Sequence, residues 1–349
     1  VMEFFFDGVK TAYILDCVRY WVREYHIDGV HLYCDEHSLN VLAADPQLAD
    51  TKIITVGWNS DRGTYKHMAS CNNDAQNTIR RYLKGDEDML RPFINMAGAN
   101  PYNAAVINYV ASNNGFTLYD LVSYDRKHNE LNGENNRDGE NYNFSWNCGE
   151  EGSTRKLKVR QLRIKQIKNA LVMVILSQGT PLILAGDEFM NTQQGNNNPY
   201  CQDNLISWLD WSLLKKNKDL FDFFQYMIQF RKDHPVIRKD LEPSYLGVPA
   251  MSTHGLTPDE TNFSGDRHVV CVRFAGYDEA IQEEDLVYLA VNSGWFPVTL
   301  TLPELPEHYK WKVAVNTGDA KCQFFHKNSM PTVESKIVLG DIHYTLQLD

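Results

Sequence analysis

The sequence has no long apolar run. Its longest, Ala170–Ser177, falls far below the roughly 20 residues that a bilayer-spanning helix needs. It has no Lys/Arg-rich stretch either. With 34 Lys and Arg against 45 Asp and Glu, the net charge is −11, which argues against nucleic acid and anionic membrane as partners. No Cys-x-x-Cys occurs, and the seven cysteines stand apart at 17, 34, 71, 148, 201, 271 and 322. An odd, scattered set fits reduced, buried thiols in a cytoplasmic protein rather than a disulfide framework or a structural zinc site. No metal and no cofactor are expected. The opening "VMEFFFDGVK" lacks a basic start and a sustained apolar core, so it does not read as a secretory leader. There is no internal repeat and no long low-complexity linker.

What is present is ordinary globular material: 349 residues, 43% hydrophobic and 23% charged, enough for two domains. From Val9 to Tyr25, Ile14, Val18, Trp21 and Tyr25 recur at helical spacing. "GVHLYC" (29–34), "KIITVGW" (52–58) and "AAVINYVAS" (104–112) read as strands. Leu157–Ser177 reads as a long helix, stopped by Gly179-Thr180-Pro181, and "LILAG" (182–186) reads as a short buried strand. Leu220–Lys232 is an amphipathic helix that ends before Pro235. Strands alternating with helices predict parallel β/α units. Beyond about residue 240 short period-2 strands follow one another, among them "HVVCVRFAG", "DLVYLAVNSG" and "KWKVAVNTGD". The division expected is therefore 1–240, a parallel α/β domain, and 241–349, an all-β domain. The chain opens on Val1 and enters a helix-period pattern within a few residues, as a fragment or a domain cut from something longer does.

In a β/α barrel the chemistry sits at the C-terminal ends of the strands. The first end here is "DGVHLYCDE", where alternation puts His31, Tyr33 and Asp35 on one face. The second is "ITVGWN", with Val56 and Trp58 sharing a face, and the third is "VASNNG".

Three longer runs are distinctive. They are "LDCVRYWVREYHIDG" (15–29), "GFTLYDLVSYDRKHNELNGENNRDGENYNFSWNCGEEG" (115–152) and "LSQGTPLILAGDEFMNTQQGNNNPYCQDNLISWLDW" (176–211). On these the chain resembles the isoamylase and glycogen-debranching branch of the α-amylase superfamily, glycoside hydrolase family 13. The resemblance covers most of residues 9–235 and, more loosely, the β domain. It implies the C-terminal part of a (β/α)8 TIM barrel, entered at about the helix before the fourth strand, followed by an antiparallel β-sandwich. The first three strands and an N-terminal β-sandwich of the family have no counterpart in these residues.

The family's mechanism needs a nucleophilic carboxylate and an acid/base carboxyl about 5–5.5 Å apart. By the resemblance, a third carboxylate holds sugar hydroxyls. Where the family motif reads D-G-F-R-F-D, this chain has Asp28-Gly29-Val30-His31-Leu32-Tyr33. Tyr33 stands at the nucleophile and His31 at the Arg. Where it reads I-A-E-P-W, the chain has Ile54-Thr55-Val56-Gly57-Trp58, so Val56 stands at the acid/base. Where it ends H-D-G-F, the chain has Asn113-Asn114-Gly115-Phe116, so Asn114 replaces the stabilising Asp and Asn113 its His. All three carboxylates are replaced and the sequence around each is kept.

Val56 has no proton to give a leaving oxygen, and general acid catalysis contributes about 10²–10⁴-fold. A Tyr hydroxyl, with a pKa of about 10, is a weak nucleophile without a base. Asp35 lies roughly 6–7 Å further along the strand than Tyr33, too far to stand in. Asp187-Glu188 is expected to serve loop and rim hydrogen bonding. The resemblance thus implies a non-hydrolytic homologue that binds α-glucan or oligosaccharide, or supports an active debranching enzyme subunit. Two other readings stay open. One is a working α-1,6-glucosidase, acting on glycogen or limit dextrin with atypical groups. The other is a structural or interaction protein that binds no sugar. Candidate sugar contacts in rim loops are Trp58, Tyr102, Asn143, Trp146, Tyr200 and Asn204. Trp208 and Trp211 are expected in the core, and the Asn-rich loop 191–198 is expected to be a turn built on positive φ.

Overall fold

A computed structural model describes residues 2–58, 65–99, 104–239, 241–258, 260–263, 267–318, 324–326, 329–333, 335–339 and 344–348. Tyr102 and Cys322 therefore lie outside the described residues. The chain forms two compact units, and their boundary does not follow the division expected at residue 240. One unit comprises 1–74, 99–109 and 179–181. The other comprises 75–98, 110–178 and 182–349.

The first unit is a parallel sheet with helices. Its strands are β1 (Met2–Phe5), β2 (Gly29–Tyr33), β3 (Lys52–Val56), β4 (Met68–Cys71), β5 (Ala105–Asn108) and β6 (Thr180–Pro181). They pair in sequence order, each parallel to the next. Helix α1 (Thr11–Tyr25) buries Ile14 and Val18, four residues apart on one face, and ends where His26 turns left-handed with φ 52°. Helix α2 (Glu36–Ala43) starts at Asp35, whose side chain accepts from the Ser38 N–H. Ile14, Val18, Val30, Leu32, Leu42, Leu48, Ile53 and Met68 form the core of this unit.

Three expectations are corrected here. Met2–Phe5 is a strand in register with Val30–Tyr33. Met68–Cys71 is a strand too, although its four residues offered no readable period. The last strand is Thr180–Pro181, while Leu182–Gly186 is irregular and Leu182–Leu184 are only half-buried. The parallel α/β architecture is present, but ring closure does not occur among the described strands. β1 and β6 are the two edges of an open sheet.

The second unit carries α3 (Asn73–Lys84, all but its first two residues), α4 (Leu90–Ala97), α5 (Leu118–Leu121), α6 (Leu157–Ile175), α7 (Ser212–Lys216) and α8 (Lys218–Asp233). After them come β7 (Met251–His254), β8 (Val269–Asp278), β9 (Glu283–Asn292), β10 (Val298–Thr301), β11 (Trp311–Asn316), β12 (Thr332–Val333), β13 (Lys336–Leu339) and β14 (Tyr344–Leu348). Six of these strands form an antiparallel sheet in the order β12-β11-β14-β9-β8-β7, and β10 pairs with β13.

Alternation explains why this sheet is apolar on both faces. Val270, Val272 and Phe274 join Val287, Leu289 and Val291 in the core shared with the helices. The intervening Cys271, Leu286, Tyr288 and Ala290 pack against Leu300 and Trp311. Buried polar side chains tie the helices down within the unit. The Tyr82 hydroxyl donates to the His268 carbonyl at 2.9 Å. Arg231 donates to the carbonyls of Ile175 and Ser177 at 2.6 and 2.8 Å, and burial pulls its pKa down to about 10.

Candidate functional site: strand ends and rim loops

The first unit carries two of the three positions matched to the family motifs, Tyr33 and Val56, at its strand ends. Tyr33 closes β2. Its ring lies flat on Phe5, 4.3 Å away at 9°, and 4.6 Å from the His31 ring. The face predicted to continue to Asp35 stops there. Asp35 has left the strand to cap α2, accepting from the Ser38 N–H at 2.9 Å and the Ser38 hydroxyl at 2.6 Å. Those hydrogen bonds hold its carboxyl below the usual range. It serves as a helix cap, which explains why it cannot replace a nucleophile.

Val56 ends β3 and is 37% exposed. The predicted partner on its face, Trp58, is only 4% exposed. The cause is Gly57, whose φ of +69° breaks the strand alternation and turns the indole inward. Trp58 Nε1 donates to Asn40 Oδ1 at 3.1 Å. It packs in the core of the first unit and also lines the cleft at the ends of β3, β4 and β5.

Val56 lies on a cleft of about 630 Å³ at the ends of β3, β4 and β5, together with Ser70, Cys71, Asn72, Asn73 and Asp74. Asn72 Nδ2 donates to Asn108 Oδ1 at 3.0 Å, and the Tyr109 hydroxyl donates to Asn73 Oδ1. Asn73 and Asp74 are exposed. Among the described lining residues Asp74 is the one carboxylate. A double-displacement glycosidase needs two, and the described lining residues, which can hydrogen-bond hydroxyls, do not supply that pair. The sequence reading missed Ser70–Asp74. The available signal was the polar run "SCNND" directly after a short apolar stretch.

The third position belongs to the second unit. Asn113 and Asn114 are exposed, and the Ser112 hydroxyl accepts from the Asn114 N–H at 3.3 Å and donates to the Asn114 carbonyl at 3.1 Å. Gly115 follows with φ +117° and donates its N–H to the Asn197 carbonyl at 3.1 Å.

Below this turn the Asn-rich loops are joined by their amides. Asn129 Nδ2 donates to Asn197 Oδ1 at 2.8 Å. Asn197 Nδ2 in turn donates to Asn143 Oδ1 at 2.9 Å and to the Glu140 carbonyl at 2.7 Å. Asn132 and Asn198 both donate to Asp138 Oδ2, at 2.7 and 3.0 Å, and these bonds, led by Asn132, lower its pKa. An amide donates and accepts at once, so a neutral set can satisfy itself without desolvating charge. Gly139 is required here. Its φ is +71°, and a Cβ would meet Asn197 Oδ1 at 2.3 Å. Loop 191–198 has the positive φ expected of it, at Gln194 and Gly195.

This network decides how the other candidate contacts are placed. Asn143 is 4% exposed, with both amide atoms engaged inside the loops. Asn204 closes a local turn, accepting from the Ile206 N–H at 2.9 Å and donating to Gln202 at 2.8 Å. Trp146 is half-buried and meets Trp295 edge to face at 5.5 Å. Tyr200 is exposed. Trp208 and Trp211, expected in the core, are 54% and 65% exposed. Trp208 Nε1 donates to Asp203 Oδ1 at 2.9 Å, and Trp211 tilts onto Phe189 at 5.4 Å.

Two carboxylates lie deeper in the same unit. Asp187 accepts from the Leu118 N–H at 2.8 Å and Asp120 accepts from the Gln193 N–H at 2.8 Å and from the Thr192 hydroxyl. Burial raises Asp187 to about 8 and Asp120 to about 6. Glu188 Oε2 accepts from the Gly186 N–H at 2.8 Å. The pair 187–188 therefore serves loop geometry. Arg163 on α6 is 1% exposed and binds a third loop, donating to the carbonyls of Gly152 at 2.6 Å, Asn147 at 3.0 Å, and Glu150.

Among the described residues no three His, Cys, Asp or Glu side chains gather as a metal site, and no helix is long and apolar enough to cross a membrane. Cys71, Cys148 and Cys271 are buried free thiols, but Cys201 is exposed and Cys17 and Cys34 are half-exposed.

One unit is thus a parallel α/β sheet with helices, and the other carries helices and an antiparallel β domain. The solved structures agree on the fold. A pullulanase from Bacillus acidopullulyticus superposes with a TM-score of 0.65 at 20% identity, over 97% of this chain and 40% of that one. The type I pullulanase of Bacillus subtilis, solved with maltose, gives 0.67 at 17%, over 97% and 46%. No family model matches the chain.

Among curated proteins, the glycogen operon protein GlgX homolog of Mycobacterium tuberculosis is 41% identical over 276 residues, 70% of this chain and 38% of the relative. Isoamylase 1 of Oryza sativa is 31% identical over 371 aligned residues, 93% of this chain and 45% of the relative. The glycogen debranching enzyme of Erwinia tasmaniensis is 41% identical over 258 residues, 66% and 39%. The chain belongs to the isoamylase and glycogen-debranching branch of the α-amylase superfamily. It spans less than half the length of these relatives.

Proposed function

We propose that this chain is a non-hydrolytic member of its family that binds α-glucan and serves beside an active debranching enzyme subunit. The observation that carries the reading is the cleft at the ends of β3, β4 and β5. Val56 stands there at the family's acid position, and Asp74 is the one carboxylate among the described lining residues. A proton donor and a nucleophile about 5–5.5 Å apart are both required for retaining hydrolysis. The serine, the amides and Asp74 suit the hydroxyl groups of a sugar. Pullulanases of this fold have been solved with maltose and maltotetraose, which supports an oligosaccharide as the ligand. Scattered cysteines without disulfide spacing favour the cytoplasm as the compartment.

The test is to compare wild type with the triple variant Tyr33→Asp, Val56→Glu, Asn114→Asp for reducing-end release from glycogen. Calorimetric titration with maltoheptaose runs in parallel. Saturable heat from the wild type, with hydrolysis absent, is the expected result. Debranching by the wild type at ordinary enzymatic rates would overturn the non-hydrolytic half. Absence of heat, with an unchanged melting temperature in the sugar, would overturn glucan binding and leave a structural role.

A further inference from the structure

A second cavity, of about 720 Å³, lies within the second unit. None of Tyr33, Val56 and Asn114 lines it. Its size falls in the range of small-molecule sites, roughly 300–1,000 Å³. Helix α6 contributes Arg160, Lys165 and Lys168, α7 contributes Lys216, and the facing carboxylates are Asp219 and Asp222 of α8. Asp222 is already tied to Lys218 of its own helix at 2.6 Å. Arg160, Lys168 and Lys216 set against Asp219, with Asp222 tied to Lys218, leave an excess of positive charge among the described lining residues, in a chain whose net charge is −11.

Lys168 makes this more than a charged groove. Its side chain is 3% exposed. Its ammonium stands 5.0 Å from the centre of the Phe223 ring and joins no hydrogen bond or salt bridge among the described residues. Burial pulls its pKa down to about 8, opposed by the charge of Asp219, so it remains cationic at neutral pH. Holding an ammonium in that state carries a desolvation penalty, which an apolar side chain of similar volume would avoid. A lysine there is a net liability to the empty protein. It becomes favourable when an anion enters. Cationic donors of both kinds, the Arg fork and the Lys point charge, are the groups that bind phosphate.

We propose that this cavity binds a phosphate monoester, a small phosphorylated sugar whose phosphate meets Lys168, Arg160 and Lys216. The excess of positive charge matches a dianion, and the volume is far larger than a bare phosphate fills. Met190 and Phe324, on the same wall, offer apolar surface to the remainder of the ligand. The inference does not depend on glucan binding at the strand ends.

The test is calorimetric titration of the 349-residue chain with glucose 1-phosphate, inorganic phosphate and glucose at pH 7, with melting temperatures in each. Glucose 1-phosphate is expected to bind saturably with a dissociation constant on the order of 0.1–1 mM and to raise the melting temperature, while glucose does neither. Lys168→Met is expected to weaken binding at least about tenfold while the ligand-free melting temperature holds or rises. Lys216→Gln, on an exposed side chain, is expected to weaken it about threefold with folding untouched. Unchanged affinity in both variants, or equal binding of glucose and glucose 1-phosphate, would overturn the site. Inorganic phosphate binding as tightly as the sugar phosphate would overturn the assignment to a sugar.

Discussion

Two asparagine-rich regions of the molecule behave in opposite ways. At the end of β4, Asn72 and Asn73 stand on the wall of an open cleft, and Asn73 is exposed. In the rim loops, Asn129, Asn143 and Asn197 are buried and bonded to one another. The residue type is the same and the role is not. An amide that satisfies itself inside the fold is structure, and one that keeps a solvent-facing side is available to a ligand. The three positions matched to the family motifs are distributed across the same contrast, Tyr33 and Val56 in the first unit and Asn114 in the second, at the turn beside the amide network.

The comparison breaks first on stability. Asn197→Ala removes bonds to Asn129, Asn143 and the Glu140 carbonyl and is expected to cost about 3 kcal/mol. Asn73→Ala should cost less than about 1 kcal/mol. Urea unfolding at pH 7 measures both, and equal losses would erase the distinction.

A second test uses pH. Burial raises the pKa of Asp187 to about 8. A carboxyl with a raised folded-state pKa contributes stability that is complete below its unfolded value of about 3.9 and is lost as pH rises through the folded value. Stability should therefore decline between about pH 4 and 8. Asp187→Asn keeps an oxygen for the Leu118 N–H and does not titrate, so it should lose less over that range, by on the order of 2 kcal/mol. Parallel wild-type and variant profiles would show that burial does not govern this carboxyl.

Binding sharpens the contrast from the other side. Asn73→Ala should weaken maltoheptaose binding about tenfold, or about 1.4 kcal/mol, while Asn143→Ala destabilises the fold and leaves the affinity of the folded fraction unchanged. The reverse pattern in titration calorimetry would return Asn143 to the sugar site. The smallest effect is expected at Trp58→Phe, which deletes the hydrogen bond to Asn40. It should cost about 1 kcal/mol and leave affinity unaltered. A change in affinity would mean that the indole meets the ligand after all.

Periodicity made the long elements legible. α6, α8, β8 and β9 lie where their apolar spacing put them, because each buries a continuous stripe or face. The short strands were not legible. β1 and β4 have four residues each and β6 has two, too few for a period, and what defines them is pairing with neighbours distant in sequence. Val56 and Trp58 do not share a face as expected, because one positive φ at Gly57 cancels the alternation on which that expectation relied. Trp208 and Trp211 were expected in the core because large aromatics usually are buried, but both are exposed, with Trp208 bonded to Asp203 and Trp211 tilted onto Phe189. The motif positions Tyr33, Val56 and Asn114 were legible as residue types. That Asp35 is a helix cap, and that Asp74 is the one carboxylate among the described residues of the cleft, only the fold reveals.

Arg163 has one more consequence. Its guanidinium holds the carbonyls of Asn147, Glu150 and Gly152 from one side of their turn, while the N–H groups of Gly152 and Asn147 donate to the Ser123 carbonyl and the Asp125 carboxylate on the other. A segment held from two sides opens only when both sets of bonds break, and the free energy of that opening is shared between them. The susceptibility of this turn to a protease, and the rate at which its amide hydrogens exchange, are therefore set in part by a side chain on α6 and not only by the residues that would be cut or exchanged.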